Sequence, residues 1–224
     1  MRPVPRHLAI IPDGNRRWAR ARGLAPADGH RAGVAALGPV LEAAWDAGVE
    51  VCSFWWGSPA NLTRRKPEEV AVITGALNHW LAAEGVRLVA PERRFHALGR
   101  WAELCPEIRP GVEAVRAAAG PGPQALALLM AYDGRDEIRA AADARGGGGA
   151  SARDFEAALW TSALPPVDLV IRTGGEPHLS AGFLLWHIAE ARLHFSPLPW
   201  PAFTPDALAL ALREFADTER RFGA

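Results

Sequence analysis

Short apolar runs alternate along this chain with longer stretches in which apolar residues recur at three- and four-residue spacing. The first run, His7–Pro12 (HLAIIP), is closed by Asp13-Gly14 and predicts a buried strand. Val34, Leu37, Leu41 and Trp45 follow at helical spacing, with Gly48 as a stop. Glu50–Trp56 (EVCSFWW) predicts a second strand. Pro67 and the pair Glu68-Glu69 then open a helix, where proline and carboxylates are favoured. Its apolar face is Val70, Ile73, Leu77, Trp80 and Leu81. Arg94–Leu98 is a weak third strand, Ile108–Ala119 a helix, and Ala125–Tyr132 a continuous apolar strand followed by a helix from Asp136. The glycine-rich stretch Arg145–Ser151 predicts a mobile loop. Asp168–Thr173 is a fifth strand, Phe183–Ala189 a short helix, Leu193–Phe195 a short strand and Pro205–Glu219 the last helix. No internal repeat interrupts the series.

Strands that are apolar throughout and alternate with helices call for an α/β fold: a single domain over residues 1–224 with a mostly parallel central sheet flanked by helices. In such sheets ligands bind beyond the carboxyl ends of the strands. Three polar clusters are expected there: Asp13 to Trp18 after the first strand, Ser58 to Arg65 after the second, and Arg172 to Glu176 after the fifth. A shorter one, Asp133-Gly134-Arg135, follows the fourth. Any one of these is more often an ordinary polar loop. Three together, rich in arginine and glycine amides, describe an anion pocket with one carboxylate, Asp13, deep in it. A carboxylate among anion-binding groups makes sense when a cation sits between it and a phosphate. Magnesium binds by one or two carboxylates plus phosphate oxygens, so the pattern suggests a magnesium–diphosphate site.

Composition narrows the picture. Hydrophobic residues make up 49% and charged residues 22%, a globular balance. Lys+Arg and Asp+Glu both number 25, which argues against bulk nucleic-acid binding. Cys52 and Cys105 are too few for a disulfide framework or a zinc site, which fits a reducing cytoplasm. Residues Met1 to His7 lack the apolar core of a signal peptide, and no apolar run reaches the length of a membrane span. Nine tryptophans must fill a core or line an apolar pocket.

These segments resemble the cis-prenyltransferases, the family of undecaprenyl diphosphate synthase, along the whole chain. His7–Trp18 (HLAIIPDGNRRW) is similar to the family's first signature, and Gly29–Gly33 to the start of its first helix. Ser58, Asn61 and Arg64 match a Ser-x-x-Asn-x-x-Arg pattern with Glu68 beyond, Tyr132–Ile138 a further block, and Asp168–Trp186 the most specific signature. Arg221-Phe222-Gly223 looks like the Arg-x-Gly tail that reaches across a dimer. The resemblance implies a magnesium-dependent transfer of an allylic prenyl group to a second isoprenoid diphosphate, normally homoallylic isopentenyl diphosphate, by a homodimer. Asp13 would hold Mg2+ and assist departure of diphosphate. The Gly14, Asn15, Arg16, Arg17 and Trp18 segment would hold the allylic diphosphate, with His30 beside it. Ser58, Asn61 and Arg64 would surround the reacting carbon, Asn61 as proton relay, with Leu62 at the same substrate site. Arg172, His178 and Ser180 would form the second diphosphate site.

The chain departs from the family at several of these positions. Pro26 replaces an arginine on the allylic diphosphate, for which Arg20, Arg22 or Arg31 is a substitute. Ala60 and Leu62 replace the usual Glu and Trp, and His178 an Arg. Arg192 stands where a Glu joins Asp13 at the metal; Glu190 is either its replacement or a solvated surface carboxylate. Trp55 and Trp56 stand where the family has smaller residues facing the product tunnel, which predicts a short product. Four outcomes stay open: short-chain cis-condensation, irregular lavandulyl-type coupling of two dimethylallyl diphosphates, cyclisation, and a non-catalytic partner subunit, the last disfavoured because Asp13, Asn61 and Arg172 are kept.

Overall fold

The computed structural model describes residues 3–144 and 151–217. In chain order the elements are β1 (His7–Ile11), α1 (Asn15–Arg20), α2 (Pro26–Asp46), β2 (Val51–Gly57), α3 (Pro59–Thr63), α4 (Pro67–Trp80), α5 (Val86–Val89), β3 (Arg94–Leu98), α6 (Trp101–Leu104), α7 (Arg109–Ala118), β4 (Ala125–Met130), α8 (Gly134–Asp143), α9 (Ala152–Ala158), β5 (Leu169–Arg172), β6 (Arg192–Phe195) and α10 (Pro205–Asp217). A π-helical turn, Leu81–Gly85, joins α4 to α5.

The strands form one α/β sheet in the order β3-β4-β2-β1-β5-β6, and every pairing is parallel. The inner strands β1, β2, β4 and β5 are buried on both sides, which is why they appear in the sequence as unbroken apolar runs. Alternate residues serve two cores. Leu8, Ile10 and Phe54 pack against α2, α4, α7 and α10, and Ala9, Ile11 and Val51 pack with Tyr132, Leu164 and Phe183 on the opposite face. Helix α2 begins where the sequence allows it: Pro26 takes the first position and the Asp28 carboxylate accepts the Ala25 N–H at 3.2 Å. β2 carries a bulge. Trp55 pairs with Leu129 but Gly57 with Met130, so the residue between them, Trp56, is extra.

Several expected boundaries shift, each for a local reason. Phe183–Ala189 is a chain of turns rather than a helix, because Ala181, Gly182 and Leu184 adopt φ of 49°, 54° and 49°. That left-handed region is incompatible with a right-handed helix. The helix expected from Asp136 starts at Gly134, since the Asp133 carboxylate caps it by accepting the Arg135 N–H at 2.9 Å. α1 and α3 occupy stretches expected as polar loops; at six and five residues they are too short to show an apolar period. α9 starts directly after Ser151, whose hydroxyl accepts the Asp154 N–H. The remainder of the expected glycine loop, 145–150, lies outside the described residues, as does the tail at 221–223.

β1 sits at the middle of the sheet with β2 on one side and β5 on the other. The chain leaving β1 turns toward β2, and the chain leaving β5 turns the opposite way, toward β6. A crevice between their carboxyl ends is the expected ligand position.

Candidate functional site

A cavity of about 500 Å³ opens at that point. Its polar end is built on the last residues of β1 and β5. Ile11 pairs with Arg172 across the ladder, which sets Asp13 next to the Arg172 guanidinium. Asp13 Oδ2 accepts from Arg172 Nη2 at 2.8 Å and lies 3.2 Å from Arg17 Nη2, while Oδ1 accepts the Gly14 N–H. Arg172 also donates to Ser180 Oγ at 2.6 Å, and Arg17 to the Gly174 carbonyl at 2.6 Å. Arg172 is 5% exposed but Asp13 is 33% exposed. The carboxylate therefore stands at the wall of an open cavity, not deep in it as expected. The Asp13 backbone is fixed from both sides. Its N–H donates to Thr173 Oγ1 at 2.9 Å, and its carbonyl accepts from that hydroxyl and from the Trp200 N–H, both at 2.8 Å. Gly14 is required here, with φ of 100° and Pro199 only 2.7 Å from where a Cβ would lie.

A second polar group faces the cavity from α1, α2 and the turn between α3 and α4. Arg16, Arg20, His30 and Arg65 line it. Burial first, and then the Arg65 charge, push the His30 pKa down to about 4, so the ring is neutral at pH 7. Burial and the nearby Arg16 also depress Arg65. Glu69 is their partial counterion, 3.6 Å from His30 Nε2 and 3.9 Å from Arg65 Nε. Buried atoms without a hydrogen bond concentrate around this space: Asn15 Oδ1, His30 Nε2 and Arg172 Nε. Such groups are costly unless a ligand satisfies them. Asn61 reaches the cavity with its oxygen already used. Oδ1 accepts the Ser58 N–H at 3.0 Å, and Ser58 Oγ accepts the Asn61 N–H at 3.2 Å. Ser58 thus caps α3 and aims Asn61.

The cavity brings together Asp13, Gly14, Asn15, Arg16, Arg17, His30, Asn61, Arg172 and Ser180. Five other expected positions do not line it: Ser58 is buried as the cap of α3, and four point elsewhere. Trp18 lies under the Arg22 guanidinium, 4.3 Å from its ring centroid. Leu62 borders a small void beside Trp56. Arg64 ends α3 and is exposed, and His178 is exposed in the turn after Glu176. Arg65 lines the cavity where Arg64 was expected. The doubled arginine was its signal, and a fixed motif spacing selects the first of the two. Of the candidates to replace the arginine lost at Pro26, Arg20 is the one that reaches the cavity. Glu190 is exposed. Arg192 turns from the cavity, donating to the Phe215 carbonyl and stacking on its ring at 4.9 Å. Among the described residues no three His, Cys, Asp or Glu side chains gather as a metal cage. The donor set still suits magnesium, which keeps water and phosphate ligands and needs as little as one protein carboxylate, here Asp13.

The other end of the cavity is apolar, walled by Val34, Phe54, Trp55, Trp56, Ile73 and Trp200. Trp56 also lines an adjoining void of about 10 Å³, roughly one water, together with Leu62, Val70, Ile73 and Ala131.

A parallel α/β sheet with a cavity at its switch point, arginine-rich at one end and dry at the other, defines an enzyme for amphiphilic substrates with a phosphorylated head. Comparison with known proteins makes this specific. Residues 11–223 match the family described as putative undecaprenyl diphosphate synthase. The chain is 37% identical over 230 residues to an isoprenyl transferase of Geobacter sulfurreducens, covering 98% of this chain and 93% of that one. It is 38% identical over 230 residues to a ditrans,polycis-undecaprenyl-diphosphate synthase ((2E,6E)-farnesyl-diphosphate specific) of Pseudomonas syringae, covering 98% and 91%. Lavandulyl diphosphate synthase from Lavandula x intermedia, solved with dimethylallyl diphosphate, superposes with a TM-score of 0.91 at 29% identity over 99% of both chains. The chain belongs to the undecaprenyl diphosphate synthase family of cis-prenyltransferases and is a prenyltransferase of isoprenyl diphosphate synthesis.

Proposed function

We propose that this protein transfers a short allylic group, dimethylallyl or geranyl, to isopentenyl diphosphate in cis and releases diphosphate, with a product of about ten to fifteen carbons; a farnesyl donor would already give about twenty. The observation that supports a short product is the void of only about 10 Å³ beside Trp56. An indole in a packed wall does not give way to a growing chain.

Ionising an allylic diphosphate leaves a carbocation and a multiply charged anion. Arg16, Arg17 and Arg65, with the Gly14–Asn15 amides and His30 beside them, stabilise the anion. Asp13 would hold magnesium, which would supply Lewis acidity toward the departing diphosphate. Arg172 and Ser180 hold the acceptor's diphosphate, and Asn61, aimed by Ser58, relays the proton lost on coupling. The tryptophan wall keeps water from the cation. The homodimer proposal draws on an apolar surface, Leu185, Trp186, Leu193, Leu198 and Leu210, each 39–50% exposed. No helix among the described residues is long and apolar enough to cross a membrane, and a cytoplasmic location is proposed with the family.

A second reading, irregular coupling of two dimethylallyl diphosphates, is favoured by one observation. The acceptor side lacks the family's extra cation and carboxylate, since His178 and Glu190 are exposed and Arg192 turns away. Looser placement of the acceptor admits attack by an internal double bond. Mass spectrometry of products with magnesium decides. Neryl or Z-farnesyl diphosphate formed only when isopentenyl diphosphate is added supports cis-condensation. A C10 product from dimethylallyl diphosphate alone overturns it, and a cyclised product or none at all with every substrate pair refutes transfer.

A further inference from the structure

Trp200 is 1% exposed, yet its position is not that of simple core filler. It follows β6 in a short 3-10 turn and touches three walls of the cavity. Its backbone N–H donates to the Asp13 carbonyl at 2.8 Å. Its indole N–H donates to the Gly33 carbonyl at 2.7 Å, inside α2 and one turn beyond His30. Its ring packs on Phe54 of β2 with centroids 5.2 Å apart. Gly33 has no side chain because none fits. A Cβ there would lie 3.0 Å from Trp200 Cδ1 and 2.3 Å from Asn15 Oδ1. The preceding residue, Pro199, closes on Gly14. One residue thus spans the loop that carries Asp13 and the helix that carries His30.

We propose that Trp200 is a positioning residue for the allylic diphosphate, an inference that rests on the transferase reading above. It sets the distance between the Asp13–Arg17 loop and α2, so that the arginines of the loop and the neutral His30 ring on α2 meet one anion. A helix carbonyl already bonded in its own helix accepts a second donor from Trp200. That bond adds little to α2 itself and serves to hold α2 to the loop. A core-filling role would depend on ring volume. A positioning role depends on the N–H.

Trp200→Phe separates the two, since it keeps a buried aromatic ring and deletes the donor. Binding of inorganic pyrophosphate, followed by calorimetry, should weaken roughly tenfold, the scale of one buried hydrogen bond with some relaxation. KM for the allylic diphosphate should rise by a similar factor, with KM for the acceptor within about twofold of wild type. Phe203→Leu is the control: it disturbs the ring stacked on Trp200 at 5.9 Å but no bond to the loop or α2. It should lower the melting temperature without changing pyrophosphate affinity. If Trp200→Phe does not fold, 3-benzothienylalanine incorporated in place of Trp200 keeps the bicyclic volume, replaces the N–H by sulfur, and should weaken pyrophosphate binding likewise. Unchanged affinity in the folded variant, or an equal loss in Phe203→Leu, overturns the proposal. If wild type binds pyrophosphate but transfers no prenyl group, the transferase reading fails and the positioning role stands; if wild type does not bind pyrophosphate, both fail.

Discussion

Replacing Asp13 by asparagine tests the polar end of the cavity with the least change of shape. In the structure the carboxylate is held by Arg172 at 2.8 Å and Arg17 at 3.2 Å. Asparagine keeps an acceptor but leaves the nearly buried Arg172 without a counter-charge. In a dry interior that would cost about 3–5 kcal/mol. Here the cavity admits water, so the loss should be about 1–3 kcal/mol. For a chain of this size that lowers the melting temperature by roughly 2–10 °C. Turnover should fall by a factor of about 10² or more, since the group proposed to hold the metal is gone. The discriminating measurement is pyrophosphate binding with and without magnesium. Without the ion, the variant should bind at least as tightly as wild type, because a negative charge has been removed from between two arginines. With it, the order should reverse. Turnover within tenfold of wild type, or an affinity order that magnesium leaves unchanged, would refute the assignment of Asp13 to the metal.

Three further outcomes follow from the same geometry. Trp56→Ala should lengthen the product by joining the cavity to the adjoining void, whereas Trp55→Ala should lengthen it less, because that indole, although it borders the cavity, is anchored in the opposite core by the Tyr132 carbonyl and Phe183; product chain length by mass spectrometry checks both. Arg65→Ala should raise KM for the allylic diphosphate roughly 10- to 100-fold, the loss of one charged contact, and Arg64→Ala should leave it unchanged; steady-state kinetics with each variant decides which arginine serves the site. Acid should destabilise the fold through His7 and His30, both pushed down to about 4, chiefly by burial. An unfolded histidine takes a proton below about 6.5, whereas these two stay neutral in the fold to about 4. Stability is therefore whole above pH 6.5 and falls as pH drops toward 4, by about 3 kcal/mol for the fully buried His7. Urea titrations between pH 4 and 8 measure it, and a His7→Gln variant that retains the same acid slope would count against this account.

Much of the architecture was legible because buried parallel strands announce themselves. HLAII, ALALLM and LVIR are unbroken apolar runs, and each proved to be an inner strand. The position of the cavity followed from strand order. Less visible were features set by a few dihedral angles. Two positive-φ residues, Ala181 and Leu184, dissolve an apolar stretch that otherwise has helical spacing. The choice between Arg64 and Arg65 depends on where a five-residue helix ends and which way the next side chain faces, and residue type says nothing about that. His178 holds a motif position in place of an arginine, but motif spacing records order along the chain and not the direction of an exposed turn. Trp200 passed as one tryptophan among nine, since the acceptor that explains it lies 167 residues earlier.

The central strand β1 has a consequence for how the protein is made. Its partners are β2, about forty residues on, and β5, some 160 residues on, where Leu8 meets Leu169 and the His7 N–H meets the Asp168 carboxylate. Closing so long a loop comes late, because its entropy must be lost before the contacts that reward it form. During synthesis the first strand emerges early and must leave one edge bare until most of the chain has left the ribosome. An unpaired apolar strand is a hazard for association with other chains. Asp13 and Arg172 end the two strands that meet last. The candidate site is therefore incomplete until β5 has docked, and a chain interrupted before β5 is exposed to aggregation without having assembled it.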